Sequence, residues 1–192
     1  MKQDLVFLFK TIFVYGILAM SFSFIGIFMP EKSYQPNPLE SYSLEEVLGH
    51  ITWGLVAGAA SLSLRYFFLS GALAIIIDSD HLIGLLPIEA MSRMGHSITF
   101  GMISLVIIMA LFGKRNYLLG ATVFSGILTH ISFDTFTDNE AKFPLLIPFY
   151  THQIVFQHAH WIFLEIAAIA LIGFCALLTK RQIIKNSKSN HG

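Results

Sequence analysis

The run Leu69-Ser70-Gly71-Ala72-Leu73-Ala74-Ile75-Ile76-Ile77-Asp78-Ser79-Asp80-His81-Leu82-Ile83-Gly84-Leu85-Leu86 sets two carboxylates and an imidazole inside an otherwise apolar stretch. An unbroken apolar segment of about 20 residues is long enough to cross the hydrocarbon layer as a helix. Ionisable side chains inside such a segment are expensive, so they mark a functional site by default. Hydropathy outward from this run predicts six spans, at Leu5–Met29, Leu44–Leu64, Tyr66–Leu86, His96–Phe112, Tyr117–Phe136 and His158–Thr179. The expected fold class is therefore all-α, a polytopic membrane helix bundle of about six transmembrane helices.

Composition agrees. The chain has 192 residues, of which 55% are hydrophobic and only 12% charged. A soluble domain would carry about twice that share of charge. The net charge is zero, which gives no basic field for a nucleic-acid partner. One cysteine, Cys175, excludes an intrachain disulfide. The first apolar segment is too long for a signal-peptide core and lacks a clear small-x-small cleavage site, so it reads as an uncleaved anchor.

Basic residues orient the bundle. Lys2, Lys10, Arg65, Lys114, Arg115, Lys180, Arg181, Lys185 and Lys188 fall on one side if the spans alternate. The other side holds Lys32, Arg93 and Lys142 among the acids Glu31, Glu40, Glu45, Glu46, Glu89, Asp138 and Glu140. The positive-inside rule then places both termini in the cytoplasm of a multi-pass cell-membrane protein. Three regions are expected: an anchor helix and extracytoplasmic linker over 1–43, a five-helix core over 44–179 and a basic tail over 180–192. The linker Pro30–Ser43 reads as exposed, and the tail as disordered beside anionic head groups. The long connection Thr137–Gln157 carries an apolar patch, Leu145–Ile147, that suits a flat or re-entrant interfacial segment.

On this topology His50, Asp78, Asp80, His81, His96, His130 and Asp134 all lie in one layer toward the extracytoplasmic face. Asp78 is about 12 Å along a helix from Leu86. Asp78 and His81 are three residues apart and share a helix face; Asp80 points elsewhere, to orient a ligand histidine or to hold a second metal. His130 and Asp134, four apart, also share a face. Nitrogen and oxygen donors together suit a divalent ion, zinc or manganese, one or two in number. Gly54, one turn after His50, permits close helix approach. Arg93 can clamp a phosphate or carboxylate at the mouth, or snorkel to the interface. Glu165 is an intramembrane acid aligned with His158, and His160 and Trp161 suit an interfacial anchor; whether His158, His160 or Glu165 joins the layer stays open.

These motifs resemble the YdjM-like family of membrane-bound metal-dependent hydrolases, also called the DUF457 family. The resemblance runs from His50 through Ile77-Asp78-Ser79-Asp80-His81, Ser92-Arg93-Met94-Gly95-His96-Ser97 and His130-Ile131-Ser132-Phe133-Asp134 with Thr137, to Leu145-Leu146-Ile147-Pro148-Phe149. Ile77 stands where the family has proline and Gly95 where it has threonine. The family's histidine before the arginine has no counterpart, and the first span looks like an addition. The resemblance implies a metal-dependent hydrolase and no defined substrate.

The resulting expectation is a hydrolase with His50, Asp78, His81, His130 and Asp134 as metal ligands. Asp80, His96 and Arg93 are the candidate catalytic groups, managing a proton and steadying developing negative charge. A pocket just below the head groups suits a phosphoester on a phospholipid or lipid-linked phosphate. The bilayer is the expected partner, with no obligate protein partner. The competing readings are an ion or proton-coupled transporter using the same Asp/His layer, and a haem protein, which the surplus of carboxylates fits poorly.

Overall fold

A computed structural model describes residues 2–30, 43–86, 88–114 and 116–189. The expected linker therefore lies almost wholly outside the described residues, as do Glu31, Lys32, Glu40 and Arg115 from the charge argument. The chain is a helical bundle. Helix α1 (Lys2–Ser23) tightens into a 3-10 turn at Phe24–Phe28, and α2 (Leu44–Ala59) and α3 (Leu64–Ile76) follow. A second 3-10 segment, Ile77–Leu85, leads to α4 (Ile98–Phe112), α5 (Tyr117–Thr137), strands β1 (Glu140–Phe143) and β2 (Ile154–Gln157), and α6 (His160–Ser189).

Among the described residues, three helical stretches are long and apolar enough to cross a membrane: Lys2–Phe28, Leu64–Leu85 and His160–Ile184; Ile98–Phe112 is apolar but shorter. Helix α5 is long enough, yet its composition is more polar because it is the centre of the bundle. Its sides are covered by α2, α3, α4 and α6. Residues Thr122, Ser125, Thr129, His130, Ser132 and Thr135 are all buried there. Protein rather than lipid surrounds α5, and four of its hydroxyls return to backbone carbonyls one turn back, as Thr122 Oγ1 does to Leu118 O at 2.8 Å.

Several expected boundaries move, for local reasons. The helix expected as the second span stops at Ala59 rather than Leu64, and at 16 residues it is not among the stretches long and apolar enough to cross. The fourth begins at Ile98, because Ser97 Oγ accepts from Phe100 N (3.0 Å) and caps the helix, leaving His96 in the preceding turn. The sixth begins at His160, and it continues to Ser189, so the described part of the tail is helical instead of disordered. Residues 180–189 contain no Gly or Pro, and extending an existing helix costs little. The connection Thr137–Gln157 contains an antiparallel hairpin with Lys142 opposite Val155. The alternation of exposed Glu140 and Lys142 with buried Ala141 and Phe143 is a strand signal that the helical reading passed over.

Helix α1 is built into the core. Gly16 lies so close to the second 3-10 segment that a Cβ would come 2.9 Å from Ile76, and Ser79 Oγ donates to Gly16 O (3.0 Å). Farther along, Met91 N donates to Gly26 O at 3.0 Å. The first helix thus braces both the Asp78–His81 segment and the turn before His96. Close approach also joins α2 to α3: a Cβ on Gly54 would come 2.5 Å from Ser70 O.

Candidate metal centre

The segment holding Asp78 and His81 is a 3-10 helix rather than α. With about three residues per turn, positions i and i+3 eclipse, which aligns the two side chains more closely than an α-helix would. The segment ends where Leu86, which precedes Pro87 in sequence, turns extended (φ −87°, ψ 144°). Helix α2 supplies His50, the turn before α4 supplies His96, and α5 supplies His130 and Asp134. The structure brings all of these to one place.

Asp78 stands in the middle. Its Oδ1 lies 3.4 Å from His81 Nε2, 3.6 Å from His96 Nε2 and 3.5 Å from His130 Nε2; its Oδ2 lies 3.7 Å from His50 Nε2. Asp134 faces the same atoms, with Oδ1 3.3 Å from His50 Nε2 and Oδ2 3.6 and 3.7 Å from His96 and His130 Nε2. Good N–H···O hydrogen bonds span about 2.7–3.2 Å, so these contacts are too long. Two ligands at about 2.1 Å from one tetrahedral ion stand roughly 3.4 Å apart. The donors are spaced for a cation between them. They form two sets, Asp78/Asp80/His81/His96 and His50/His130/Asp134, each with one donor atom per residue within 4.8 Å of the others.

The ring orientations fit the same reading. His130 Nδ1 lies 2.6 Å from Ala74 O; a carbonyl only accepts, so Nδ1 carries the proton and neutral Nε2 presents its lone pair. That Nε2 is buried and has no hydrogen-bond partner among the described residues. His96 Nδ1 sits 3.1 Å from Asp80 Oδ2, which also accepts from Gly95 N at 2.8 Å. Asp80 therefore stands behind His96 and fixes its ring, as carboxylates do for metal-bound histidines. Its other oxygen lies 3.6 Å from His81 Nε2. Gly95 is required by this packing, since a Cβ there would come 2.8 Å from Asp80 Oδ2. His50 stacks on His130, with centroids 4.0 Å apart and planes 8° from parallel. Phe133 and Trp53 extend this into an aromatic wall.

A cavity of about 350 Å³ opens over the cluster, lined by Glu46, His50, Asp78, His81, Arg93, His96, Asp134, Thr137 and Asp138. Arg93 has φ 58°, a left-handed backbone that a non-glycine residue rarely adopts, and His96 N donates back to Arg93 O at 3.0 Å. This strained turn carries the guanidinium to the cavity wall. Glu46 went unnoticed in the sequence except as a loop-side acid. It stands one turn before His50, with Oε2 3.8 Å from His50 Nε2, and the i,i+4 spacing was the available signal. The residues left open lie elsewhere. His158 stacks on Phe136 (5.6 Å), His160 Nδ1 accepts from Gln157 N (3.1 Å), and Glu165 is buried on α6. Trp161 packs against Trp53 and Phe136 rather than serving only as an anchor.

The fold and the site together define a class: an apolar helical bundle, with helices able to span a membrane, enclosing an Asp/His cluster compatible with a bound metal ion. No protein-family model, curated protein or solved structure matches the chain. Any narrower assignment rests on the chemistry of the cluster and on the motif resemblance.

Proposed function

We propose that this protein is a membrane-embedded metal-dependent hydrolase that cleaves a phosphoester in an amphiphilic, lipid-like substrate. The proposal includes six spans, cytoplasmic termini and a site opening on the extracytoplasmic face. The observation that carries the metal reading is the spacing of 3.3–3.7 Å between imidazole nitrogens and the oxygens of Asp78 and Asp134. The motif resemblance and the polar cavity above the cluster support hydrolysis.

His50, Asp78, His81, His96, His130 and Asp134 would hold one or two zinc or manganese ions. A bound ion of this kind lowers the pKa of a coordinated water to about 7 and polarises a phosphoryl oxygen. Ala74 O and Asp80 hold His130 and His96 in the tautomer that leaves Nε2 bare. Arg93 at the wall offers a planar set of donors for a phosphate. Glu46 and Asp138 are the remaining carboxylates on the cavity wall, and Glu46, beside His50, is placed to accept a proton from a group in the cavity.

Elemental analysis of the purified protein beside Asp78→Ala and His130→Ala tests the centre. Bound zinc or manganese in the parent and its loss in both variants is the expected result. Equal metal content in all three overturns the site. Phosphate release from phospholipid and lipid-phosphate substrates, abolished by Asp78→Ala, tests the reaction.

A further inference from the structure

The connection between α5 and α6 presents apolar surface where a water-facing loop would present charge. From Ala141 to Leu164 the only Asp, Glu, Lys or Arg is Lys142. Phe149 is 86% exposed, Tyr150 54% and Leu146 48%, and a few residues on in the chain Ile154 and Val155 of β2 are exposed too. Scattered exposed apolar residues are ordinary, but a contiguous patch marks a contact surface.

The turn is built to hold these side chains outward. Ile147 N donates to Pro144 O (3.2 Å), and Phe149 N and Tyr150 N both donate to Leu146 O (3.0 and 3.1 Å). Thr99 N at the start of α4 donates to Leu145 O (3.4 Å), and Ile147 is fully buried. Burying Ile147 and tying Leu145 to α4 leaves Leu146 and Phe149 directed away from the core. On α6, Ile162, Phe163 and Ile166 are exposed as well. That helix is long and apolar enough to cross a membrane.

We propose that the turn 144–150 and strand β2 form a platform immersed in the head-group layer of the leaflet on the site's side. Its occupant is lipid: the mix of Phe and Tyr with a neighbouring lysine is the composition of a membrane interface. The same hairpin borders the polar cleft. Glu140 and Lys142 line a space of about 370 Å³ with Ser92, Arg93, Asp138 and Gln153, and Arg93 and Asp138 also line the metal cavity. A lipid head group moving sideways past β1 reaches the cluster without leaving the membrane surface. The platform rests on the membrane reading and not on hydrolysis, so its test involves neither metal nor substrate.

The test uses the full chain in phosphatidylcholine vesicles, with Cys175→Ala and a single new cysteine carrying an environment-sensitive fluorophore. Phe149→Cys and Leu146→Cys report the platform, and Asn139→Cys reports the exposed end of the hairpin. The expected result at 149 and 146 is a blue-shifted emission, loss of fluorescence to nitroxide-bearing lipids and resistance to aqueous iodide, with the reverse at 139. Iodide quenching at 149 and 146 equal to that at 139 overturns the proposal. So does cross-linking of position 149 to a second copy without nitroxide quenching.

Discussion

The two ends of the bundle handle polar side chains in opposite ways. At the end where α1, α3 and α5 begin, Arg65 pairs with Asp4 at 3.5 Å, lies 3.5 Å over the Phe7 ring and remains partly exposed. Asn116 caps α5 and donates to Tyr66 OH at 2.6 Å. These groups find partners in one another. At the other end, His50, Asp78, His96 and His130 are almost wholly buried, their facing atoms stand 3.5–3.7 Å apart, and His130 Nε2 has no hydrogen-bond partner among the described residues. Burial of a polar group without a partner costs several kcal/mol. The contrast separates polar residues that close a structure from polar residues that require a third party.

The sharpest way to break the contrast is Asp78→Ala, which removes the carboxylate shared by four imidazoles. Metal content is expected to fall to background while detergent-solubilised protein still elutes as a folded species. Asp80→Asn should act less strongly. It keeps the acceptor for Gly95 N but removes the charge behind His96, and loss of such support costs about 10–100-fold in metal affinity; competition with a fluorescent chelator measures it. Gly95→Thr restores the residue of the resembling family, yet its Cβ would press on Asp80. A stability loss of about 1–3 kcal/mol in a denaturation series is expected, with weaker metal binding. The smallest effect is expected from Arg65→Ala, which should leave metal content unchanged in the same elemental analysis. A loss of metal there would erase the distinction between the two ends.

Much of the site was readable because membrane chemistry is unforgiving. A carboxylate such as Asp78 inside an apolar run has few structural excuses, and the i,i+4 pair His130/Asp134 named its own helix face. Asp80 was readable as a partner for a histidine, though not which one, since His96 meets it only through the turn at Arg93–His96. The missed parts depend on tertiary contacts or on short-range geometry. The 3-10 winding at Ile77–Leu85 and the capping by Ser97 shift boundaries without changing hydropathy. The hairpin was hidden because its two strands are only four residues each and are separated by a turn rich in proline and aromatics. Glu46 looked like a surface acid because its i,i+4 spacing to His50 was the one local signal, and the burial of His50 depends on tertiary packing. The bracing role of α1 was equally invisible, since Gly16 and Gly26 acquire meaning only when Ile76 and Met91 pack on them.

The stacked pair His50 and His130 has a consequence for how the protein is made. The two rings stand eighty positions apart in the chain, and Asp134 follows still later. A ribosome-bound chain that has released α2, α3 and the 3-10 segment after them holds His50, Asp78, Asp80 and His81 but not yet His96, His130 or Asp134. Before α5 is inserted, Asp78, Asp80, His81 and His96 already form one donor set, and His50 alone represents the other. The second set, His50/His130/Asp134, would be completed only with the central helix, so an ion shared between the two sets would be gripped late in synthesis.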